Sequence, residues 1–290
     1  MLNKTRMMQL SHIAYSDAQE IPRLVTQLDP DLSVVWGPAW KSSGVGTPYG
    51  LAFIVRSKAT GAATVVIRGT DAWSLEAWFE QDFAIDSTVP FSSFDGGAPA
   101  EALLSKGAAT GLAVLLDLVP NHRAPQVDMV SFLRSQPELK TLAVTGHSLG
   151  GTLTGPLFAA LHAALAGLQR PPRMDLMSFA GLSPGNGIFA DYLNSLTPSD
   201  DWRVENPLDI APLLFAKLEP VLEVYGNYKP SLLDVGVLLG LFAVAATDYV
   251  QPGPMPTVLP AVPQRKASWL DQVVYQHHSS TYLRLVEMGD

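Results

Sequence analysis

Ten consecutive residues, Leu142-Ala143-Val144-Thr145-Gly146-His147-Ser148-Leu149-Gly150-Gly151, restrict what this chain can fold into more than any other stretch. The first four are apolar or β-branched and predict a short buried strand. Beyond Ser148 a run dominated by small residues, Thr152 to Ala166, predicts a helix. Gly146 and Gly150 stand two residues either side of Ser148, the G-x-S-x-G spacing of a nucleophile elbow. There the serine occupies a strained strand-to-helix turn that only small neighbours accommodate. A plainer alternative is a glycine-rich turn in which Ser148 merely caps the helix. The strand in front, Gly151 behind and the helix beyond meet the structural condition that the functional reading requires.

A chain of 290 residues can bury about three quarters of its unfolded surface as one large domain. No linker, repeat or low-complexity tract divides it, so a single domain over residues 1–290 is expected. The net charge of −8 and pI of about 5.2 argue against nucleic acid or anionic membrane surfaces as partners and suit uncharged substrates. The absence of cysteine excludes disulfides, a thiolate metal site and a cysteine nucleophile. Met1 to Met8 carries basic residues with no apolar region behind them. No signal peptide is read there, which is compatible with a cytoplasmic protein, with one secreted without a cleaved signal, or with a mature form, and leaves the compartment open. The apolar run Val235 to Ala246 falls short of the roughly 20 residues that span a bilayer. It reads equally as a core helix or as a cap over a pocket.

In chain order, Met7 to Ala18 has helical spacing, and Val34 to Trp36, Tyr49 to Arg56 and Thr64 to Arg68 read as strands. These predict an antiparallel start to a sheet. Thr64 to Ile67 is a β-branched run of the kind buried on both faces, and it ends at Arg68-Gly69-Thr70-Asp71. Acyl transfer needs backbone N–H groups where a carbonyl oxygen turns anionic. The residue after the nucleophile and one from the loop after an earlier strand supply them. Leu149 and Thr70 fit those posts, although Thr70 reads equally as an ordinary turn residue. Leu75, Trp78, Phe79 and Phe83 then share one helix face, as core or as a lid whose Trp78 and Phe79 would meet substrate. Phe91 to Pro99 reads as loop, Ala100 to Leu118 and Val127 to Ser135 as helices, Met174 to Phe179 as strand, Phe189 to Leu196 as helix and Trp202 to Glu205 as strand. Alternating strands and helices predict an α/β fold with a mostly parallel central sheet and helices on both faces.

A serine hydroxyl needs a base within hydrogen-bond reach, itself oriented by a third group. In this architecture the order is serine, then acid, then histidine. His12 and His122 precede Ser148, and His162 lies on the same predicted helix, roughly 21 Å along it. His147 is expected on the opposite side of the turn, and His12 as a surface or helix-packing residue. His277 and His278 remain. The acid must lie just past a strand's C-terminal end, where Asp209 follows Asn206-Pro207-Leu208. Glu205 is second choice, because it still lies within its strand.

Val66 to Thr70, Val144 to Gly151, Ser178 to Ala180 with Ser183 to Asn186, Asn206 to Pro212, and His277 to Tyr282 together resemble the fungal-type (class 3) lipase family. The resemblance runs from about Leu10 to Leu285. It implies an α/β-hydrolase fold, a Ser148-Asp209-His277 triad, and an oxyanion hole from Thr70 and Leu149. No metal or cofactor is implied. The spacing to Tyr282 in the branch most resembled favours His277 over His278. The implied activity is that of a serine carboxylic-ester hydrolase, a triacylglycerol lipase or esterase, on ester or lipid substrates at a lipid–water surface. Residues 71–85 and 213–250 become lid or cap segments. A feruloyl-type esterase, phospholipase or acyltransferase would use the same triad, and an inactive binding protein the same fold. The disulfides of fungal members are impossible here, and the Asp209–His277 interval is longer than theirs.

Overall fold

The structure is a computed structural model describing residues 3–42, 48–69, 84–120, 122, 124–199, 201–264 and 268–289. Its strands in chain order are β1 (Leu32–Ser42), β2 (Pro48–Ser57), β3 (Ala63–Ile67), β4 (Thr88–Pro90), β5 (Leu103–Ser105), β6 (Thr141–His147), β7 (Arg173–Phe179), β8 (Gly185–Asn186), β9 (Arg203–Glu205), β10 (Tyr249–Val250) and β11 (Thr257–Val258). The main sheet runs β1-β2-β3-β6-β7-β9-β11. Its first two pairings are antiparallel and the remaining four parallel. The expected antiparallel start and mostly parallel body are both present.

Side chains alternate across this sheet, because successive residues of a strand face opposite ways. Val65, Ile67, Leu142 and Val144 face a core built from helices Lys106–Leu116 and Leu149–Leu165. On the other face Val66 packs under helix Lys4–Ile13 and helix Ile21–Leu28. There too Ala143 and Phe179 meet Met7, Met8, Tyr282 and Val286, the last two from helix Ser279–Gly289. Both faces are thus covered, as a parallel sheet requires. Helix Lys4–Ile13 lies against helix Ser279–Gly289, so the two pack side by side on this face of the sheet.

One segment departs from its sequence reading. The continuous helix expected over Ala100 to Leu118 is strand β5 followed by a helix that begins at Lys106. Ser105 accepts from the Ala108 amide at 3.0 Å and caps that helix. Strand β5 belongs to a second, antiparallel sheet in the order β10-β8-β5-β4. It pairs Leu104 with Gly185, where a Cβ on the glycine would stand 2.1 Å from the Leu103 carbonyl oxygen. A pairing with a partner this remote in sequence overrides local helix propensity.

Strands β3 and β6 end together, Ile67 opposite Gly146, and that shared edge receives Ser148. Gly150 passes so close that a Cβ there would meet the Ile67 carbonyl oxygen at 2.4 Å. Since backbone cannot step aside, Gly150→Ala is expected to cost about 1–3 kcal/mol and to lower the melting temperature by several degrees. Thermal unfolding followed by circular dichroism checks this. A variant melting within about a degree of wild type would contradict the close approach.

Candidate active site

Ser148 has φ 63° and ψ −126°, a conformation that a non-glycine residue adopts only when its surroundings force it. They do: its amide donates to Phe179 O at 3.0 Å, and its carbonyl accepts from Thr152 N at 2.8 Å. A Cβ on Gly146 would fall 2.5 Å from the Gly150 backbone, and one on Gly69 3.0 Å from the Ser148 Cβ. Although Ser148 occupies the N-cap position of helix Leu149–Leu165, its side chain makes no capping bond. The plain capping alternative therefore fails, and the hydroxyl is directed elsewhere.

It meets His277. Ser148 Oγ lies 2.8 Å from His277 Nε2, and His277 Nδ1 lies 2.8 Å from Asp209 Oδ2. All three residues are buried. A carboxylate can only accept, so Nδ1 carries the proton and Nε2 is left to accept from the serine hydroxyl. His277 is the last residue of helix Trp269–His277. Asp209 follows β9, as expected for the acid. Glu205, within that strand, is instead ion-paired with Arg203. Burial pushes its carboxyl above the usual value, against the pull of Arg203.

The adjacent His278 is exposed and bonds Ser280 Oγ at 2.7 Å. His12 is half-buried, its Nδ1 3.0 Å from Ser279 Oγ, which ties the N-terminal helix to the start of helix Ser279–Gly289, two residues after His277. Burial, then the charge of His278, holds the His12 imidazole below its ordinary pKa. His147 differs from its sequence reading. Its ring lies on the His277 side, with centroids 5.1 Å apart, rather than opposite. Tyr15 Oη donates to the His147 carbonyl at 3.2 Å and lies 2.9 Å from His147 Nδ1. Burial first and His277 next depress the His147 pKa well below its ordinary value, so a neutral ring stands beside the base.

A network that sequence reasoning missed holds Asp209. Tyr282 Oη donates to Asp209 Oδ2 at 2.8 Å and accepts from Asn206 N at 3.0 Å. Asp209 Oδ1 accepts from Ala211 N at 2.9 Å. Asn206 Nδ2 donates to the backbone and side-chain oxygens of Gln276, each at 2.8 Å, so the acid's turn and the base's helix share bonds. Burial, followed by the Asp209 charge, raises the Tyr282 pKa well above its ordinary value, which keeps the phenol a donor. The one available sequence signal was the His277–Tyr282 spacing, which says that a tyrosine stands there without saying what it touches.

Leu149 is the first residue of its helix, so its N–H has no carbonyl a turn earlier inside the helix and points with the positive end of the helix dipole. Thr70, Trp78 and Phe79 lie outside the described residues. Leu149 and Leu208 pack against an apolar cluster that includes Leu182, Ile210, Leu214, Phe215 and Leu238. Next to the Ser148 turn and the Asp209 turn, then, the wall is aliphatic and aromatic.

A serine, histidine and carboxylate in this relay, at the C-terminal edge of a doubly covered and mostly parallel sheet, define a serine hydrolase of the α/β-hydrolase fold. Residues 64–219 match the family model described as lipase (class 3), more than half of the chain, and the protein belongs to that family. It is accordingly an ester hydrolase of the lipase type. The matched span contains Ser148 and Asp209 but stops before His277. Among solved structures the chain is similar to M37 lipase, at 25% identity over 99% of this chain and 93% of that one, with a TM-score of 0.83. It shares its fold with a triacylglycerol lipase from Penicillium expansum, 20% identical over 72% of this chain and 70% of that one, TM-score 0.51. The same holds for a lipase from Rhizopus microsporus var. chinensis, 21% identical over 73% and 69%, TM-score 0.51. No curated protein matches in sequence.

If the phenol orients Asp209, Tyr282→Phe leaves the carboxylate one bond short and the Asn206 amide unpaired, a loss of about 1.5–3 kcal/mol. The expected result is a kcat lowered roughly tenfold or more with KM little changed. Steady-state kinetics on a soluble ester measures it, and an unaltered kcat would show that Asp209 does not rely on Tyr282.

Proposed function

We propose that Ser148, His277 and Asp209 are the nucleophile, general base and orienting acid of an ester hydrolase whose substrates are lipid esters of the triacylglycerol type. The observation that carries this reading is the pair of 2.8 Å contacts running from Ser148 Oγ through both nitrogens of His277 to Asp209. Attack by Ser148 Oγ on the ester carbonyl passes its proton to His277 Nε2, and Asp209 steadies the imidazolium that forms. The oxyanion is received by the N–H groups of Leu149 and Thr70. His277 then protonates the departing alcohol, and water, activated by the same nitrogen, releases the acid from Ser148. The role of Thr70 rests on its place directly after Gly69, which abuts Ser148.

The lipid preference follows from the apolar wall at Leu149 and Leu208 and from the likeness to M37 lipase. In this reading the chain works as one domain, with residues 213–250 forming a cap beside the site. Residues 71–85 would form a lid whose Trp78 and Phe79 touch the acyl chain. Such substrates gather at a lipid–water surface, so the enzyme is expected to work there. No metal or cofactor enters any step.

Ser148→Ala should lower kcat by at least about four orders of magnitude with the fold retained, and retention of more than about a tenth of wild-type turnover would remove Ser148 from its role. With Ser148 intact, kcat/KM should climb from acetate through butyrate to octanoate p-nitrophenyl esters, by up to about fourfold per methylene buried. A profile that is highest at acetate would make the protein a small-ester esterase.

A further inference from the structure

Most of the apolar run Val235 to Ala246, which reads from sequence as core helix or pocket cap, lies in helix Leu232–Ala243, whose apolar residues mostly face outward. Leu232 is 93% exposed and Leu233 74%, with Val237, Leu239 and Val244 also exposed. The positions between them on that side are glycine or alanine. At about 100° per residue the exposed positions cover an arc of roughly 160° that carries no hydrogen-bonding side chain. The opposite side holds Leu238, which is buried, and Phe242, packed into the cluster that also contains Leu149 and Leu208. The helix's one charge, Asp234, is spent at its N-terminus in a reciprocal capping box with Ser231. Nothing in the helix therefore needs water on its outer side. A core helix would hide such a face, so that alternative from the sequence fails.

We propose that this outer face is the element that docks the enzyme on an uncharged lipid–water surface, seating the cap and hence the Ser148 edge against its substrate phase. The inference rests on the lipase reading above and names the partner of that same site. Four observations select this occupant. The face is too small for a second copy: a helix of 12 residues is about 18 Å long and 10 Å across. That footprint is well below the roughly 800 Å² per partner of a stable protein interface. A lipid surface needs no complementary shape and takes an apolar arc of this kind lying in its plane. The arc carries no basic residue and the chain bears a net charge of −8, so an anionic surface would be repelled and a neutral or zwitterionic one accepted. The helix is also continuous, through Leu238, with the apolar wall beside Ser148, so a surface lying on it adjoins the site. Among the described residues no helix is long and apolar enough to cross a membrane, which leaves this one to lie on a surface rather than span it.

The test separates docking from chemistry. Binding is measured by co-flotation with phosphatidylcholine vesicles in the Ser148→Ala protein, which cannot consume lipid. Turnover is measured on a soluble butyrate ester with Ser148 intact. Leu232→Ser alone, at a position too exposed to disturb packing, and a Leu232→Ser/Leu233→Ser/Val237→Ser variant are compared. The expected result is flotation of the parent and a several-fold loss of partition in the single variant. The triple variant should lose at least tenfold, with kcat/KM on the soluble ester within about twofold of wild type. Adding anionic phosphatidylglycerol to the vesicles should not strengthen binding. The proposal is overturned if the parent does not float or if the variants float as well as it does. It is equally overturned if sedimentation finds a parent dimer that the triple variant converts to monomer, because the face is then a self-contact. Loss of soluble-ester activity in Leu232→Ser would assign the face to the active site instead. Failure of the lipase reading would show separately, as ester hydrolysis that survives Ser148→Ala.

Discussion

Asp209 Oδ2 accepts two hydrogen bonds in a place that water does not reach, one from His277 Nδ1 and one from Tyr282 Oη. A buried carboxylate is tolerated only when it is well paired, and here the pairing also sets the site's geometry. The acid sits on a turn after β9, the base at the end of helix Trp269–His277, and the phenol on the helix that follows. Asn206 and Gln276 tie the first two together from behind. Because these bonds are mutual, none of the three elements can shift without leaving a buried polar group unmet, a loss of about 1–3 kcal/mol each. The serine side is held by other means. Ser148 keeps its positive φ because β3, β6 and β7 press glycine backbone around it, so its position is steric where that of Asp209 is polar.

How much of this was legible in the sequence depended on how local each feature was. The elbow could be read because its glycines, strand and helix lie within a few residues of Ser148. Asp209 and His277 could be located because chain order and strand ends left few candidates, although choosing His277 over His278 needed the spacing to Tyr282. The second sheet was hidden, since β5 is three residues long and exists only because Gly185 lets a remote strand approach. The position of the His147 ring was misread for a similar reason: Tyr15, from the N-terminal segment, draws it to the His277 side, and nothing near position 147 says so. The outward face of helix Leu232–Ala243 was illegible on different grounds, since a segment apolar all round has no periodicity from which a buried side can be chosen.

The ends of the chain bear on the site more than the family match suggests. That match stops at residue 219, yet His277 and Tyr282 lie beyond it and Tyr15 and His12 before it. The helix Lys4–Ile13 packs on helix Ser279–Gly289, and His12 meets Ser279. The family's central segment thus supplies the nucleophile, the acid and the sheet that presents them. The terminal segments supply the base, and the Tyr282 phenol that holds Asp209. A neutral His147 ring against His277 fits this division, because a second charge there would oppose the imidazolium that catalysis requires.

The central claim is that His277, and not its neighbour, activates Ser148. Covalent labelling with a fluorophosphonate tests it most directly, because the reaction needs the activated hydroxyl and no particular ester. Peptide mass mapping should find the label on Ser148. The labelling rate should fall by about a hundredfold or more in His277→Ala while His278→Ala labels at close to the wild-type rate. Label on another serine, or equal rates in wild type and His277→Ala, would contradict the assignment.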